Sequence, residues 1–186
     1  MPNILNTLDS FIEQVGRLHA DLSVPKDYAE RYGLPLCEMP PDLVSTELDY
    51  YGRPQRLTKA AFRAWSKMKQ SAAAAGIPIH LISAFRDLDY QHQLILKKLL
   101  QGQSIEEILR VNAAPGYSEH HTGCAIDIGT LECDALVEAF ENTPAFTWLQ
   151  EHAEQHGFVL SYPRGNAAGM AYEPWHWCFK ESTSRI

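Results

Sequence analysis

The 186-residue chain is short of positive charge: 16 lysines and arginines stand against 23 aspartates and glutamates, for a formal net charge of -7. Phosphate backbones are gripped by clustered Lys and Arg, and no basic stripe runs along this sequence, so nucleic acid and other polyanions are not expected partners. Cysteine is scarce as well. Cys37, Cys124, Cys133 and Cys178 form no CxxC pair, which argues against a cysteine zinc site, a thioredoxin-like motif or a disulfide framework. Long apolar runs are missing too. Asp9, Glu13 and Arg17 interrupt the one N-terminal stretch that resembles an export signal, and no basic segment precedes it. The expectation is a chain without a membrane span, cytoplasmic as written, or periplasmic or cell-wall-facing had a leader been removed.

What is present suits a folded chain. Hydrophobic residues make up 45% and charged residues 21%, and the length fits one compact domain with one core. Ile4, Leu8, Phe11, Ile12, Val15 and Leu18 recur at helical spacing and predict an amphipathic N-terminal helix. Residues 23–56 contain Pro25, Pro35, Pro40, Pro41 and Pro54, which oppose long regular structure and predict an irregular wrap. Residues 1–56 are therefore expected to lie on a core of residues 57–186. There, Thr58 to Ala75 reads as a helix closed by Gly76, Ile79 to Ala84 as a strand, and the segment after Arg86 as a second helix. Ser104 with Glu107 forms a capping-box pattern, CAIDIG reads as a strand, and Thr143 with Pro144 starts a helix stopping at Gly157. FVLSY and WHWCF add two short strands. Strands and helices are segregated rather than alternating, which favours α+β over a doubly wound sheet.

Strand alternation turns this outline into chemistry. In CAIDIG, Asp127 faces opposite to Cys124, and in PWHWCF, His176 faces opposite to Trp175 and Trp177. Two histidines and a carboxylate that leave one position open make a catalytic zinc arrangement. A histidine of the His120–His121 doublet, with Asp127 and His176, could supply it. Zinc hydrolysis also needs a carboxylate that is not a ligand, and Glu173 stands three residues before His176 across Pro174. Developing negative charge calls for a fixed cation, and Arg86 at the strand-to-helix junction is the best placed. Singly these spacings say little; together they define a site. Cys178 lies roughly 7 Å from His176 at strand rise and reads as a small buried hydrophobe. His19, His80, His92, His152 and His156 lack a partnering motif, and Trp65, Trp148 and Trp177 read as core.

The motifs SAFRDLDYQ (83–91), SEHHTGCAID (118–127), GFVLSYP (157–163) and EPWHW (173–177) resemble, in the same order, those of the VanY-like D-alanyl-D-alanine carboxypeptidases. These zinc peptidases share a core with lysostaphin and the hedgehog amino-terminal domain. The resemblance implies a small central, mostly antiparallel sheet carrying the zinc site and flanked by helices. It implies one Zn2+ held by His120, Asp127 and His176, with Glu173 as general base and Arg86 on the polarised carbonyl or the terminal carboxylate. Gln91, Ser118 and Tyr162 would line the substrate pocket, Trp175 would wall it, and His121 would not be a ligand. His121 neighbours a ligand on what should be an extended or bridging segment, which points it away from the metal. The implied reaction removes a C-terminal D-alanine from a peptidoglycan stem peptide or its precursor. The alternatives are an L,D-carboxypeptidase or a D-Ala-D-Ala dipeptidase on the same site, or a silent zinc-stabilised binding module. Two departures bear on substrate preference: Ser161 stands where many relatives carry arginine, and Phe85 where tyrosine is more frequent.

Overall fold

The structure, a computed structural model, describes residues 4–181; the side chains of residues 4–7, Ile4 of the apolar stripe included, and residues 182–186 lie outside that description. The N-terminal helix α1 spans Ile4–Leu22. It buries Val15 and Leu22 and half-buries Leu8, Phe11 and Leu18, but leaves Ile12 50% exposed, so the apolar stripe is narrower than its sequence spacing implies. Residues 23–56 contain only a five-residue helix α2 (Tyr28–Tyr32) and a two-residue strand β1 (Val44–Ser45), which pairs with β2 (Arg56–Leu57). The prolines keep this segment irregular, and its order comes from side chains. The buried Asp49 carboxylate accepts from the backbone N–H groups of Tyr51 and Arg53 and from the Arg53 guanidinium and Gln55 amide, at 2.7–2.9 Å.

Helix α3 (Lys59–Ala74) starts at Thr58, whose hydroxyl accepts from the Ala61 N–H, and buries Ala61, Trp65, Met68 and Ala72. Strand β3 (His80–Ser83) leads through Phe85 and Arg86 into α4 (Leu88–Leu100), capped by Asp87. Helix α5 (Ile105–Leu109) carries the reciprocal Ser104–Glu107 capping box. Strand β4 (Ala125–Gly129) is followed by a 3-10 turn (Glu138–Asn142) and by α6 (Pro144–His152), with Thr143 as N-cap and proline in its first turn. The chain does not stay α-helical to Gly157: residues Ala153–His156 tighten into a 3-10 turn that ends at Gly157 in the left-handed region.

Strands β5 (Phe158–Leu160) and β6 (His176–Phe179) complete a wholly antiparallel four-stranded sheet in the order β3-β4-β6-β5. Its short strands are covered on both faces, and every residue of β4 is buried. One main core gathers Trp65, Met68, Ile126, Ile128, Phe146, Trp148, Leu149, Phe158 and Trp177 between α3, α6 and the sheet. A second cluster joins Leu22 and Tyr28 to Ile95, Ile108 and Leu109, so α1 and α2 close over α4 and α5. The architecture is α+β. No described helix is long and apolar enough to cross a membrane.

Candidate metal centre

Asp127 and His176 stand directly opposite each other on adjacent antiparallel strands. Paired residues project to the same face of a sheet, so the ladder itself brings these two side chains together. The third donor, His120, comes from elsewhere. Its segment, expected to be extended or bridging, is instead a 3-10 turn (Glu119–Thr122) that ends at Gly123 with φ +64°. A Cβ there would stand 2.6 Å from Leu43 Cδ2 and 3.2 Å from the Thr58 backbone nitrogen. Only glycine suits both the conformation and the close approach.

Donor atoms of His120, Asp127 and His176 lie within 4.8 Å of one another, and all three residues are buried. His120 Nδ1 donates to the Ala84 carbonyl at 2.6 Å, which fixes the tautomer and turns Nε2 toward the Asp127 carboxylate at 3.4 Å. That Nε2 is a buried nitrogen lone pair with no hydrogen-bond partner. Buried polar atoms without partners are rare, and this one converges with a carboxylate and a second imidazole. His176 points Nδ1 at Asp127 Oδ1 (3.2 Å) and donates Nε2–H to Glu119 Oε2 (3.0 Å). The donor set and the free lone pair fit a tetrahedral zinc ion with one open position.

The electrostatics agree with ligation by a neutral His120. Burial, reinforced by the neighbouring Arg86 charge, lowers its pKa to about 4. Burial also acts to lower His176, but hydrogen bonds to Asp127 and Glu119 outweigh it and raise that imidazole to about 10. Protons and a metal ion therefore compete for Nδ1. Asp127 is buried, which opposes ionisation, yet the two imidazoles hold its carboxyl well below the usual carboxylate range.

Glu173 sits beside this group, 13% exposed, with Oε2 3.8 Å from His176 Nδ1. Burial pushes its pKa up to about 7, against the pull of His176 and with a push from Asp127. A carboxylate poised near neutrality is suited to taking and returning a proton. Arg86 reaches to 3.8 Å from Asp127 Oδ2, and its Nε is buried without an acceptor.

His121 faces away from the donors, and the structure gives it a definite task. Nδ1 donates to the Arg86 carbonyl at 2.6 Å, and Nε2 accepts from the Gly116 N–H at 3.1 Å. Both ring nitrogens are therefore committed to a neutral imidazole, and burial lowers its pKa to about 4. It fastens the backbone of Arg86 to the loop before the metal turn. That loop is also held from the N-terminal region: Ala114 N–H donates to the Tyr28 hydroxyl, His19 Nε2 donates to the Pro115 carbonyl, and Cys37 N–H donates to the Gly116 carbonyl.

Two cavities meet at Arg86 and Glu173. A small one, about 30 Å³, is bounded by Gln91, Ser118, His120, Tyr162 and His176. Gln91 is buried; its amide donates to the Ala113 carbonyl at 2.7 Å, and its Oε1 has no partner. A larger cleft of about 460 Å³ runs outward past Trp175, Tyr172, Leu94, Val111 and Lys98. Trp175 thus walls the outer cleft, apart from Gln91, Ser118 and Tyr162. Sequence reasoning missed Lys98, for which neither periodicity nor motif gave a signal, and Glu119, which lies inside the motif SEHHTGCAID without an assigned task.

A sheet-borne Asp-His pair, a turn-borne histidine, a flanking carboxylate and an arginine make up the set of residues that a metal centre of the zinc-peptidase class requires. Residues 54–182 match the family profile VanY, D-alanyl-D-alanine carboxypeptidase, and the chain belongs to that family. It is 32% identical over 155 residues to "Putative carboxypeptidase YodJ" of Bacillus subtilis (strain 168), covering 79% of this chain and 56% of that protein. The chain thus spans little more than half the length of that relative. Among solved structures it is similar to the LdcB LD-carboxypeptidase, described in terms of peptidoglycan recognition, at 29% identity and TM-score 0.67, covering 76% of this chain and 69% of the other. It shares the fold of the vancomycin-resistance D,D-pentapeptidase VanY in complex with Zn(II), at 22% identity and TM-score 0.61, covering 80% and 88%.

Proposed function

We propose that the protein is a zinc-dependent carboxypeptidase that removes a C-terminal D-alanine from peptidoglycan peptides or their precursors. The observation that carries this reading is the buried, unpartnered Nε2 of His120 converging with Asp127 and His176 beside Glu173 and Arg86. Family membership supports it. Zinc, when bound to these three residues, supplies a water of lowered pKa and a Lewis acid for a carbonyl oxygen.

The chain's own residues do the rest. Glu173, with its raised pKa, accepts a proton from the attacking water and returns it to the leaving amine. Arg86 offers its unpartnered Nε and a fixed positive charge to the carbonyl oxygen or the terminal carboxylate, with His121 holding its backbone in place. The small cavity between Gln91, Ser118 and Tyr162 suits a methyl side chain, and Gln91 Oε1 is an acceptor for a substrate N–H. The outer cleft takes the remainder of the peptide. A binding module would need neither the base nor the cation, and both are in place.

The test is a panel of D-Ala-D-Ala dipeptide, pentapeptide and tetrapeptide with product masses read after incubation with zinc-loaded protein. Loss of one alanine from the pentapeptide is expected. No product from any of the three would overturn the reading. The likeness to the LdcB LD-carboxypeptidase favours a second reading, an L,D-carboxypeptidase, in which the tetrapeptide rather than the pentapeptide loses its alanine.

A further inference from the structure

Glu119 lies inside the motif SEHHTGCAID, directly before His120, but is neither a donor of the metal group nor a wall of either cavity. Its carboxylate is nevertheless fully engaged. Oε2 accepts the Nε2–H of His176 at 3.0 Å and the Ser161 hydroxyl proton; Oε1 accepts from Lys180 Nζ at 3.0 Å. Lys180 lies just past the end of β6 and Ser161 just past the end of β5. The carboxylate is thus clamped from the ends of the ligand's own strand β6 and of its neighbour β5. An imidazole N–H, a hydroxyl and an ammonium all donate to it, and it donates to none of them, the bonding pattern of an ionised carboxylate. It is a fixed anion lying behind an imidazole.

We propose that Glu119 is the positioning residue of the metal centre: it locks His176 in the Nε2–H tautomer, so that Nδ1 presents its lone pair toward Asp127 and the open position. The geometry leaves it no equal. His120 is oriented by a neutral backbone carbonyl, that of Ala84, whereas His176 is oriented by a charged carboxylate. A carboxylate partner increases the basicity of a ligating imidazole as well as fixing its ring, and losing such a partner typically costs 10–100-fold in metal affinity. Lys180 and Ser161 hold the Glu119 carboxylate against His176. This inference rests on the metal site itself.

The experiment measures zinc affinity by chelator competition at constant pH for the wild type, Glu119→Ala and Glu119→Gln, with cobalt(II) absorption spectra of the same proteins. Expected are a wild type that binds one zinc, an affinity about 10–100-fold weaker in Glu119→Ala, and an altered cobalt ligand-field spectrum. Glu119→Gln keeps an acceptor for Nε2–H without the charge, so it should fall in between. A third measurement separates positioning from general loosening: the imidazole nitrogen resonances of His176 in the zinc-loaded protein should report a metal-bound Nδ1 and a protonated Nε2 in the wild type and a mixed pattern in Glu119→Ala. If Glu119→Ala fails to fold, Glu119→Gln carries the comparison. Wild-type affinity and an unchanged cobalt spectrum in the folded variants would overturn the positioning role and leave the metal site standing. A wild type that binds no zinc would instead overturn the site and, with it, the role of Glu119.

Discussion

Asp127 and His176 face each other across one register pair of the sheet, while His120 reaches the same point from a 3-10 turn whose anchorage comes from residues far away in sequence. The sheet-borne pair is brought together by the ladder between β4 and β6, a repeating backbone pattern, with Glu119 fixing the ring of His176. The turn-borne ligand depends on a relay of single hydrogen bonds: Gln55 Oε1 accepts the Ala84 N–H at 2.9 Å, and the Ala84 carbonyl accepts the His120 Nδ1–H at 2.6 Å. Thr58 N–H adds a bond to the Gly123 carbonyl at 2.9 Å. Two ligands are thus built into the core, and the third is held in reach by the proline-rich wrap. Strand ladders are cooperative, whereas a chain of single bonds is only as rigid as each link. The wrap side is therefore where the placement of the third ligand is most easily loosened.

Glu173→Ala bears on the sheet side and should have the largest effect. Hydrolysis of the pentapeptide should fall about 10²–10⁴-fold, the usual contribution of a general base. Zinc content by elemental analysis should stay at the wild-type level, because none of the three donors leans on Glu173 for its orientation. Turnover within severalfold of the wild type would remove Glu173 from its role.

On the wrap side, Asp49→Ala removes an acceptor serving four donors, and a stability loss of about 2–4 kcal/mol is expected in urea unfolding. Its pH dependence has a definite sign. Burial opposes ionisation of Asp49, but the Arg53 and Tyr51 backbone bonds and the Arg53 guanidinium hold its pKa below the ordinary 3.8. The carboxylate's contribution is thus fully present above that unfolded-state value and is lost as pH falls through the lower folded-state one. The gap between wild type and variant should be constant from pH 7 to 5 and close below pH 4. A gap that widens on acidification would show that Asp49 is not an ionised staple.

The difference between the two sides also explains what the sequence disclosed. Period-two alternation put Asp127 and His176 on usable faces, and the register pairs them. Thr143 before Pro144, and Ser104 before Glu107, likewise appear as caps, because cap chemistry is local. The 3-10 turn under His120 was expected as an extended or bridging segment. Its conformation is set by Gly123 packing on Leu43 and Thr58, contacts some 65 to 80 residues distant in sequence that leave no periodic trace. Glu119 was hidden for the same reason, since its meaning depends on His176, Ser161 and Lys180 arriving from two other strands. His121 looked like half of an ambiguous doublet until the Arg86 carbonyl and Gly116 N–H claimed its two nitrogens.

The relay itself is tested by a smaller change set against a matched control. Gln55→Ala leaves the buried Ala84 N–H without an acceptor, a cost of about 1–3 kcal/mol. It also frees one end of Ala84, the residue whose carbonyl orients His120, so zinc affinity should drop along with stability. Thr143→Ala removes the N-cap of α6, where the hydroxyl accepts from the Phe146 N–H at 3.2 Å, and should cost about 1 kcal/mol. Helix α6 packs on the core with no bond to any of the three ligands, so this loss of stability should leave zinc affinity at the wild-type value. Chelator competition on the two variants, with melting temperatures alongside, separates the cases. If both weaken zinc binding in proportion to their loss of stability, the wrap has no special hold on His120. If only Gln55→Ala does so, the third ligand is held by the relay.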